Sequence, residues 1–340
     1  IPVLQQMYQK EQENIRTMFT FGDGNQSYQN IRDEEHFVRT YPMMPFQYDL
    51  FQQVLIGLSN HGAFTGRYTS VGERSMLGVF QDVLKEISDL RTGFLPSFDK
   101  MFQGIRQSLK PGYTNLVTTA ENQLNQSLAL KILQILALVK YVDSFKPTVA
   151  NLSILLIEEF NVSIVDLQKQ VKEALQLLED QIYIQRNGVH YSYLTHVEKE
   201  IENKIKSTEV TLSKQTKILQ DLIFGEIIED KQFRFEDNGQ NYSFARKMDS
   251  SLALGQDAEL AINIVSPFHE HFGNEDIIRS QSAGKAEMLV LLPDEKSLLA
   301  ELSMYLKTDH YIRVRRNEEA DENERSILRE KGESNQKRRK

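Results

Sequence analysis

The chain has 340 residues, 40% hydrophobic and 26% charged, which is enough for two or three domains with sizeable cores. Its net charge of −8 argues against electrostatic capture of nucleic acid by the chain as a whole. Cysteine is absent, which excludes disulfides, thiolate zinc sites and cysteine nucleophiles. No apolar run approaches the roughly 20 residues of a bilayer-spanning helix, so we expect no membrane segment. Because Ile1-Pro2 opens the chain without a signal-peptide pattern, we interpret it as an excised piece of a longer cytoplasmic protein.

Helical patterns dominate the first 125 residues and predict a helical domain over 1–125. Residues 3–18 predict a helix, and the Gly- and Asn-rich stretch 22–27 predicts a loop. Apolar residues at helical spacing predict a second helix from residue 46 to Gly62, and a third through residues 71–87. A wide apolar face then continues almost without interruption from Leu116 to Val142.

The next segment has the element order of a winged helix. A short helix is predicted over 149–158, and Ser163 is a good N-cap for a longer helix. Two alternating runs, 181–186 and 189–194, flank Asn187-Gly188, a strong short-range signal for a hairpin. We therefore predict a winged-helix module over 126–195, with a buried stripe on its longer helix at Ile164, Leu167, Val171, Leu175 and Leu178.

In the remainder of the chain a helical sequence pattern is followed by patterns typical of strands. Residues 196–229 predict one long, charged connecting helix with a thin apolar seam. Residues 230–314 predict a separate α/β domain, with strands near 232–235, 242–248, 259–265 and 287–292 and a helix over 296–306. Residues 315–340 form a charged segment that is either helix or disordered tail. The predicted fold class is mainly α with a smaller mixed α/β part.

Arg74 is the most specific polar candidate, because it lies in the first turn of a predicted helix behind a flexible loop. Its planar, permanently charged guanidinium suits phosphate oxygens, and nucleotide-binding ATPases place such an arginine above the triphosphate. The alternative is a surface ion pair with Glu73 or Asp82.

No complete active site is evident, so we predict no catalytic residue, no metal and no cofactor for this chain alone. Ser282-Ala283-Gly284-Lys285 fails the phosphate-loop pattern, since Ala286 follows the lysine and a strand is predicted next. His269 and His271 have strand spacing but no evident third metal ligand.

The predicted winged helix raises the question of DNA binding. Its second long helix carries Lys169 and Lys172 among four carboxylates, where groove insertion favours basic side chains. The predicted wing adds only Arg186 and His190. These four residues are our candidates for nucleic-acid or partner contact, and the charge balance favours packing or contact with a partner over DNA contact.

Several short motifs, in order along the chain, resemble the BrxC/PglY family, the large P-loop proteins of the bacteriophage-exclusion (BREX) and phage-growth-limitation defence systems of bacteria. The motifs are Phe37-Val38-Arg39-Thr40-Tyr41-Pro42, Gly72-Glu73-Arg74-Ser75-Met76-Leu77, Leu138-Val139-Lys140-Tyr141-Val142, Ser282-Ala283-Gly284-Lys285, Leu291-Leu292-Pro293-Asp294 and Tyr305-Leu306-Lys307-Thr308-Asp309-His310-Tyr311-Ile312.

The resemblance implies an internal piece of an AAA+/STAND-like ATPase whose phosphate loop lies upstream. Residues 1–125 would be the ATPase lid, and Arg74 would sense the nucleotide phosphate. ATP and Mg²⁺ are then expected for the parent protein, and its partners would be other BREX proteins and further copies of itself. The expected function is coupling of nucleotide state to protein assembly in antiphage defence. The alternative is a DNA-binding regulator or a replication-initiator-like module.

Overall fold

The computed structural model describes residues 1–22, 28–65, 73–315 and 322–339. The chain divides into two compact units, Ile1–Asn203 and Lys204–Lys340. The finer division into five parts that the sequence suggests stays a prediction.

Helices build the N-terminal unit, and one short hairpin follows them. The hairpin consists of β1 (Ile184–Asn187) and β2 (His190–Tyr193). The helices are α1 (Pro2–Met18), α2 (Glu34–Thr40), α3 (Pro45–Asn60), α4 (Glu73–Glu86), α5 (Lys100–Arg106), α6 (Pro111–Gln123), α7 (Ser127–Val139), α8 (Val149–Leu155) and α9 (Ile164–Asp180), and α10 (His196–Ser207) begins in this unit.

The core of this unit is organised around α7, which is buried on almost every side because residues 132–139 are nearly all apolar. Helix α3 contributes its apolar stripe to the same core. It comes close to the segment after α7 at Gly57, where an added Cβ would lie 2.5 Å from the carbonyl oxygen of Tyr141. Only a residue without a side chain permits that approach.

The helical pattern from Leu116 to Val142 is correct in type but not continuous. It forms two helices, because Leu124 takes an extended backbone conformation and its N–H bonds to the carbonyl of Ala120 to end α6. The helix predicted over 149–158 is also shorter than expected and ends at Leu155.

The C-terminal unit combines helices with a five-stranded mixed sheet. Its sheet has the order β3–β4–β6–β7, and β5 pairs with β4 on the same side as β3. Strand β6 is parallel to both neighbours, while β3 and β5 run antiparallel to β4. The elements are α11 (Leu212–Leu222), a π-helical turn (Ile223–Ile227), β3 (Gln232–Arg234), β4 (Asn241–Met248), β5 (Ser251–Leu254), β6 (Leu260–Val265), α12 (Glu275–Ser282), β7 (Glu287–Leu291), α13 (Lys296–Arg315) and α14 (Glu322–Arg339).

The prediction of one long helix over 196–229 is wrong. Helix α10 ends at Ser207 and α11 begins at Leu212. The intervening stretch contains Thr208, Val210 and Thr211, whose β-branched side chains lower helix propensity. The charged segment at the C-terminus, by contrast, is helical where it is described.

One face of the sheet supports the core of this unit. Met248 and Ile264 pack there against Leu219, Phe224 and Leu302 from the helical segments. The crossover between the parallel strands β6 and β7 is supplied by α12. None of the helices in the described ranges is long and apolar enough to cross a membrane.

Candidate functional site

The candidate contact residues cluster on the segment from α7 to β2, residues 127–193, which we call the α7–β2 module. Three helices and the hairpin pack in it around one apolar core. Val171 and Leu175 of α9 are fully buried as predicted, and Leu167 is partly buried against the same core. The observed element order, three helices followed by a two-stranded hairpin, is the order the sequence predicts.

The hairpin loop lies one residue further along the chain than it would if Asn187 and Gly188 were its two central residues. Asn187 pairs with His190, so Gly188 and Val189 are the two loop residues. Gly188 has φ of +62°, a left-handed conformation that glycine adopts at no steric cost. A glycine at the first central position is typical of type II′ hairpins, whereas Asn-Gly at both central positions is typical of type I′.

Arg186 is exposed but held in place by the hairpin. Its Nε donates to the carbonyl oxygen of Gly188 at 2.7 Å, and its guanidinium lies 5.9 Å from the ring centre of Tyr191. This geometry fits a cation–π contact. His190 is partly exposed on the other strand of the hairpin. The wing thus presents one ordered cation.

Helix α9 directs its polar face to solvent. The Ser163 side chain caps its first turn by accepting from the backbone N–H of Asp166 at 3.4 Å. Lys169 and Lys172 are both exposed, as predicted, but carboxylates including Glu173 are exposed beside them. The surface of α9 therefore has mixed charge.

A buried ion pair fixes the end of the module. The Lys140 ammonium, directly after α7, donates to the two carboxylate oxygens of Glu198 at 3.0 and 2.9 Å and to the carbonyl oxygen of Tyr193 at 2.7 Å. The Thr195 N–H donates to the same carboxylate at 2.6 Å, and the Glu198 N–H bonds the Thr195 hydroxyl at 3.4 Å. Thr195 and Glu198 together make a capping box at the start of α10.

These contacts set the charge state of Glu198. Burial alone would raise the pKa of the carboxyl, but the Lys140 ammonium and the hydrogen bonds from Thr195 outweigh it and lower the pKa. Nearby, the Lys199 ammonium lies 3.8 Å from the ring centre of Tyr183, and burial lowers the pKa of that lysine. The capping box can be found in the sequence, but its lysine partner 58 residues away cannot.

Arg74 is the second residue of α4. Residues 66–72, which hold the preceding loop and the predicted start of this helix, lie outside the described part of the chain. A position in the first turn agrees with the prediction for the backbone. The nucleotide-sensing role of its side chain stays a prediction.

Two polar features of the N-terminal unit have no sequence signal. An open cleft of about 390 Å³ lies beside α1, but its cations are already engaged, Arg91 with Glu159 and Lys10 with Glu11. Asp99 is buried before α5, and its Oδ1 has no hydrogen-bond partner among the described residues. Burial raises the pKa of Asp99 above its ordinary value. The cleft and the carboxylate depend on distant segments that only the fold brings together.

The described residues contain no group of three or more histidine and acidic side chains arranged to hold a metal ion. In the His269 and His271 pair, the backbone N–H of His271 donates to Nδ1 of His269 at 3.1 Å. One ring nitrogen of that pair is therefore engaged by the backbone. Lys285 of the failed phosphate-loop pattern lies two residues before β7, so a strand follows it as predicted.

Comparison with known families identifies the C-terminal part of the chain. Residues 208–340 match a family described as "BREX ATP-binding protein BrxC 4th domain with six-stranded beta sheet". This part of the chain therefore resembles a domain of a BREX defence-associated protein. More specifically, the match supports a BrxC-family protein, and it covers three of the six motifs on which the resemblance rests. No solved structure matches the chain.

Proposed function

We propose that this chain is the lid and winged-helix coupling segment of a BREX-type ATPase, and that it links nucleotide state to protein assembly. The observation that carries the proposal is the family match at residues 208–340, which follows a module with the element order of a winged helix after the intervening helix α10. The described residues form packed modules, and among them we recognise no catalytic constellation. ATP and Mg²⁺ belong to the parent protein in this proposal, and the chain alone does not hydrolyse ATP.

The ion pair of Lys140 with Glu198 supports a coupling role for the α7–β2 module. It joins the end of α7, the last residue of the hairpin and the first turn of α10 through one ammonium group. A buried pair of this kind resists independent movement of the three elements, since separating them leaves an unpaired charge. A force or contact on the hairpin is therefore transmitted to α10.

A protein partner fits the exposed surface of the module better than DNA does. Affinity for DNA rises with the number of phosphates that lysine and arginine neutralise. On α9, Lys169 and Lys172 are exposed among carboxylates, and Arg186 is engaged with its own hairpin. Mixed charge with an exposed apolar residue at the tip of the hairpin, Val189, suits a protein surface.

The test compares two double variants with the same change in charge. Lys169→Glu/Lys172→Glu alters the module, and Lys10→Glu/Lys85→Glu alters exposed lysines elsewhere in the same unit. We expect the first pair to weaken capture of purified BREX components by the full-length parent at least tenfold, and the control pair to have little effect. Binding of labelled duplex DNA at low salt should be weak and equal in both.

Two results would contradict this proposal. Strong, salt-dependent DNA binding that only Lys169→Glu/Lys172→Glu abolishes would favour the DNA-binding regulator. Turnover of ATP by the isolated chain, above the level of a purification control, would show that it contains an active site of its own.

A further inference from the structure

The outer edge of strand β7 has no neighbour among the described residues, because β7 pairs with β6 alone. The backbone bonds fix which groups face that edge. The carbonyl of Ala286 and the N–H of Leu292 both bond to the β6 side. Since residues alternate in direction along a strand, the N–H and carbonyl groups of Glu287, Leu289 and Leu291 point outward.

Most of this edge lacks the usual protection against pairing, although β7 begins with Glu287, whose Oε1 is buried. Natural edge strands are often blunted by proline, by a bulge or by inward-pointing charges. The run Met288-Leu289-Val290-Leu291 is apolar throughout, and its pairing with β6 is regular. Met288 is 57% exposed and Leu291 37% exposed. The edge is a template for another strand.

The charged residues on either side of β7 indicate which incoming strand would fit its edge. Lys285 lies just before β7 and Asp294 just after it, and both are exposed. A parallel copy of β7 would place lysine beside lysine and aspartate beside aspartate. An antiparallel copy would place Lys285 of each chain near Asp294 of the other, at both ends of the pairing. The edge is therefore complementary to itself in the antiparallel direction.

We propose that two copies of this chain associate by antiparallel pairing of their β7 strands, centred on Leu289. In that register Leu289 faces its own copy and Glu287 faces Leu291, so every outward backbone group finds a partner in about six hydrogen bonds. The sheets of the two copies become continuous. The inference concerns the C-terminal unit and is independent of the role proposed for the α7–β2 module.

The absence of natural cysteine allows a direct test of the register. In Leu289→Cys the two engineered cysteines face each other, with Cα atoms about 5.5 Å apart, inside the range that a disulfide needs. In Glu287→Cys the same residues of the two copies are about 13 Å apart along the strands. We expect mild oxidation to give a disulfide-linked dimer of Leu289→Cys and not of Glu287→Cys.

The mass of the cysteine-free chain in solution provides a second measurement. It should rise from monomer to dimer with concentration, and high salt should weaken the dimer. Met288→Lys, at an exposed edge position, should weaken it at least tenfold. Leu298→Lys, an equally exposed site in α13, should not.

Three outcomes overturn the proposal: a monomer at all concentrations, equal cross-linking of both cysteine variants, or equal effects of both lysine variants. In the full-length protein, a sixth strand from elsewhere in the same polypeptide could occupy this edge. The protein would then remain a monomer at all concentrations. Each variant's circular dichroism spectrum and melting curve show whether it has kept its fold.

Discussion

Lys140 binds both carboxylate oxygens of Glu198 in a site where the side chains are only 8% and 14% exposed. Removal of one partner leaves a buried charge without compensation. We therefore expect Glu198→Ala to lower the free energy of unfolding of the N-terminal unit by about 3 kcal/mol. Urea denaturation of the wild-type chain and of the variant measures this loss. Lys140→Met/Glu198→Met should cost less than either single change, and equal additive losses would contradict a coupled pair.

The same pair predicts a dependence on pH. The pKa of Glu198 is lower in the folded chain than its ordinary value of 4.5, so its contribution is fully present above that pH. It is lost as the pH falls through 4.5 and then through the lower folded value. The stability difference between the wild-type chain and Glu198→Gln should therefore shrink in this acidic window. A constant difference from pH 7 to the acid limit would exclude the ion pair as its cause.

Gly57 and Gly78 provide a matched pair of glycines inside helices. Gly57→Ala would place a Cβ 2.5 Å from a backbone oxygen, so we expect it to destabilise the chain by about 2 kcal/mol or more. Gly78→Ala meets no atom within 4 Å and should stabilise α4 by up to about 1 kcal/mol. Thermal melting of the two variants checks both signs. Similar effects would mean that α3 does not approach Tyr141 so closely.

Asp99 should destabilise the N-terminal unit when it is charged. Burial raises its pKa, and its Oδ1 has no hydrogen-bond partner among the described residues, so the fold disfavours the charged form of this carboxyl. We expect Asp99→Asn to gain about 1 kcal/mol at pH 7. The gain should decline as the pH falls towards the ordinary value of 3.8, where both states of the wild-type chain take up the proton. A loss of stability at pH 7 would indicate that the charge is required.

Arg74→Ala tests the proposed nucleotide sensor in the parent ATPase. If the guanidinium contacts the phosphates, the variant should lose about 2 to 4 kcal/mol of transition-state stabilisation. In this chain alone it should change stability by less than about 1 kcal/mol. Arg39→Ala, which removes an exposed pair with Glu35, is the control. Unchanged ATPase rate and phage defence in Arg74→Ala would leave the surface ion pair as the better interpretation.

The sequence predicts those helices and turns that depend only on residues close together in the chain. The apolar stripe with Val171 and Leu175 identified α9, and the glycine at 188 identified the hairpin. Strand β5 and helix α12 were missed, because β5 is short and largely exposed and α12 has only one fully buried residue, Ile278. The parallel pairing of β4 with β6 could not be read from either strand, since parallel order depends on crossover connections.

The candidate site likewise has features that the sequence predicts and features that only the structure shows. The exposure of Lys169 and Lys172 follows from the apolar stripe on the opposite face of α9, so it was predictable. The partner of Glu198 was not, since nothing local connects residue 198 with residue 140. The charge of a surface can be estimated from sequence, but the contacts that neutralise a buried group require the fold.

The π-helical turn after α11 determines where the C-terminal unit can be cut. Arg246 of β4 is 6% exposed, and its guanidinium donates to the carbonyl oxygen of Phe224 in that turn at 3.1 Å. Burial of a charged side chain is costly, and this hydrogen bond offsets part of that cost. A truncated protein that starts after Ile228 would bury a cation without this acceptor. An autonomous C-terminal fragment should therefore begin before Leu212.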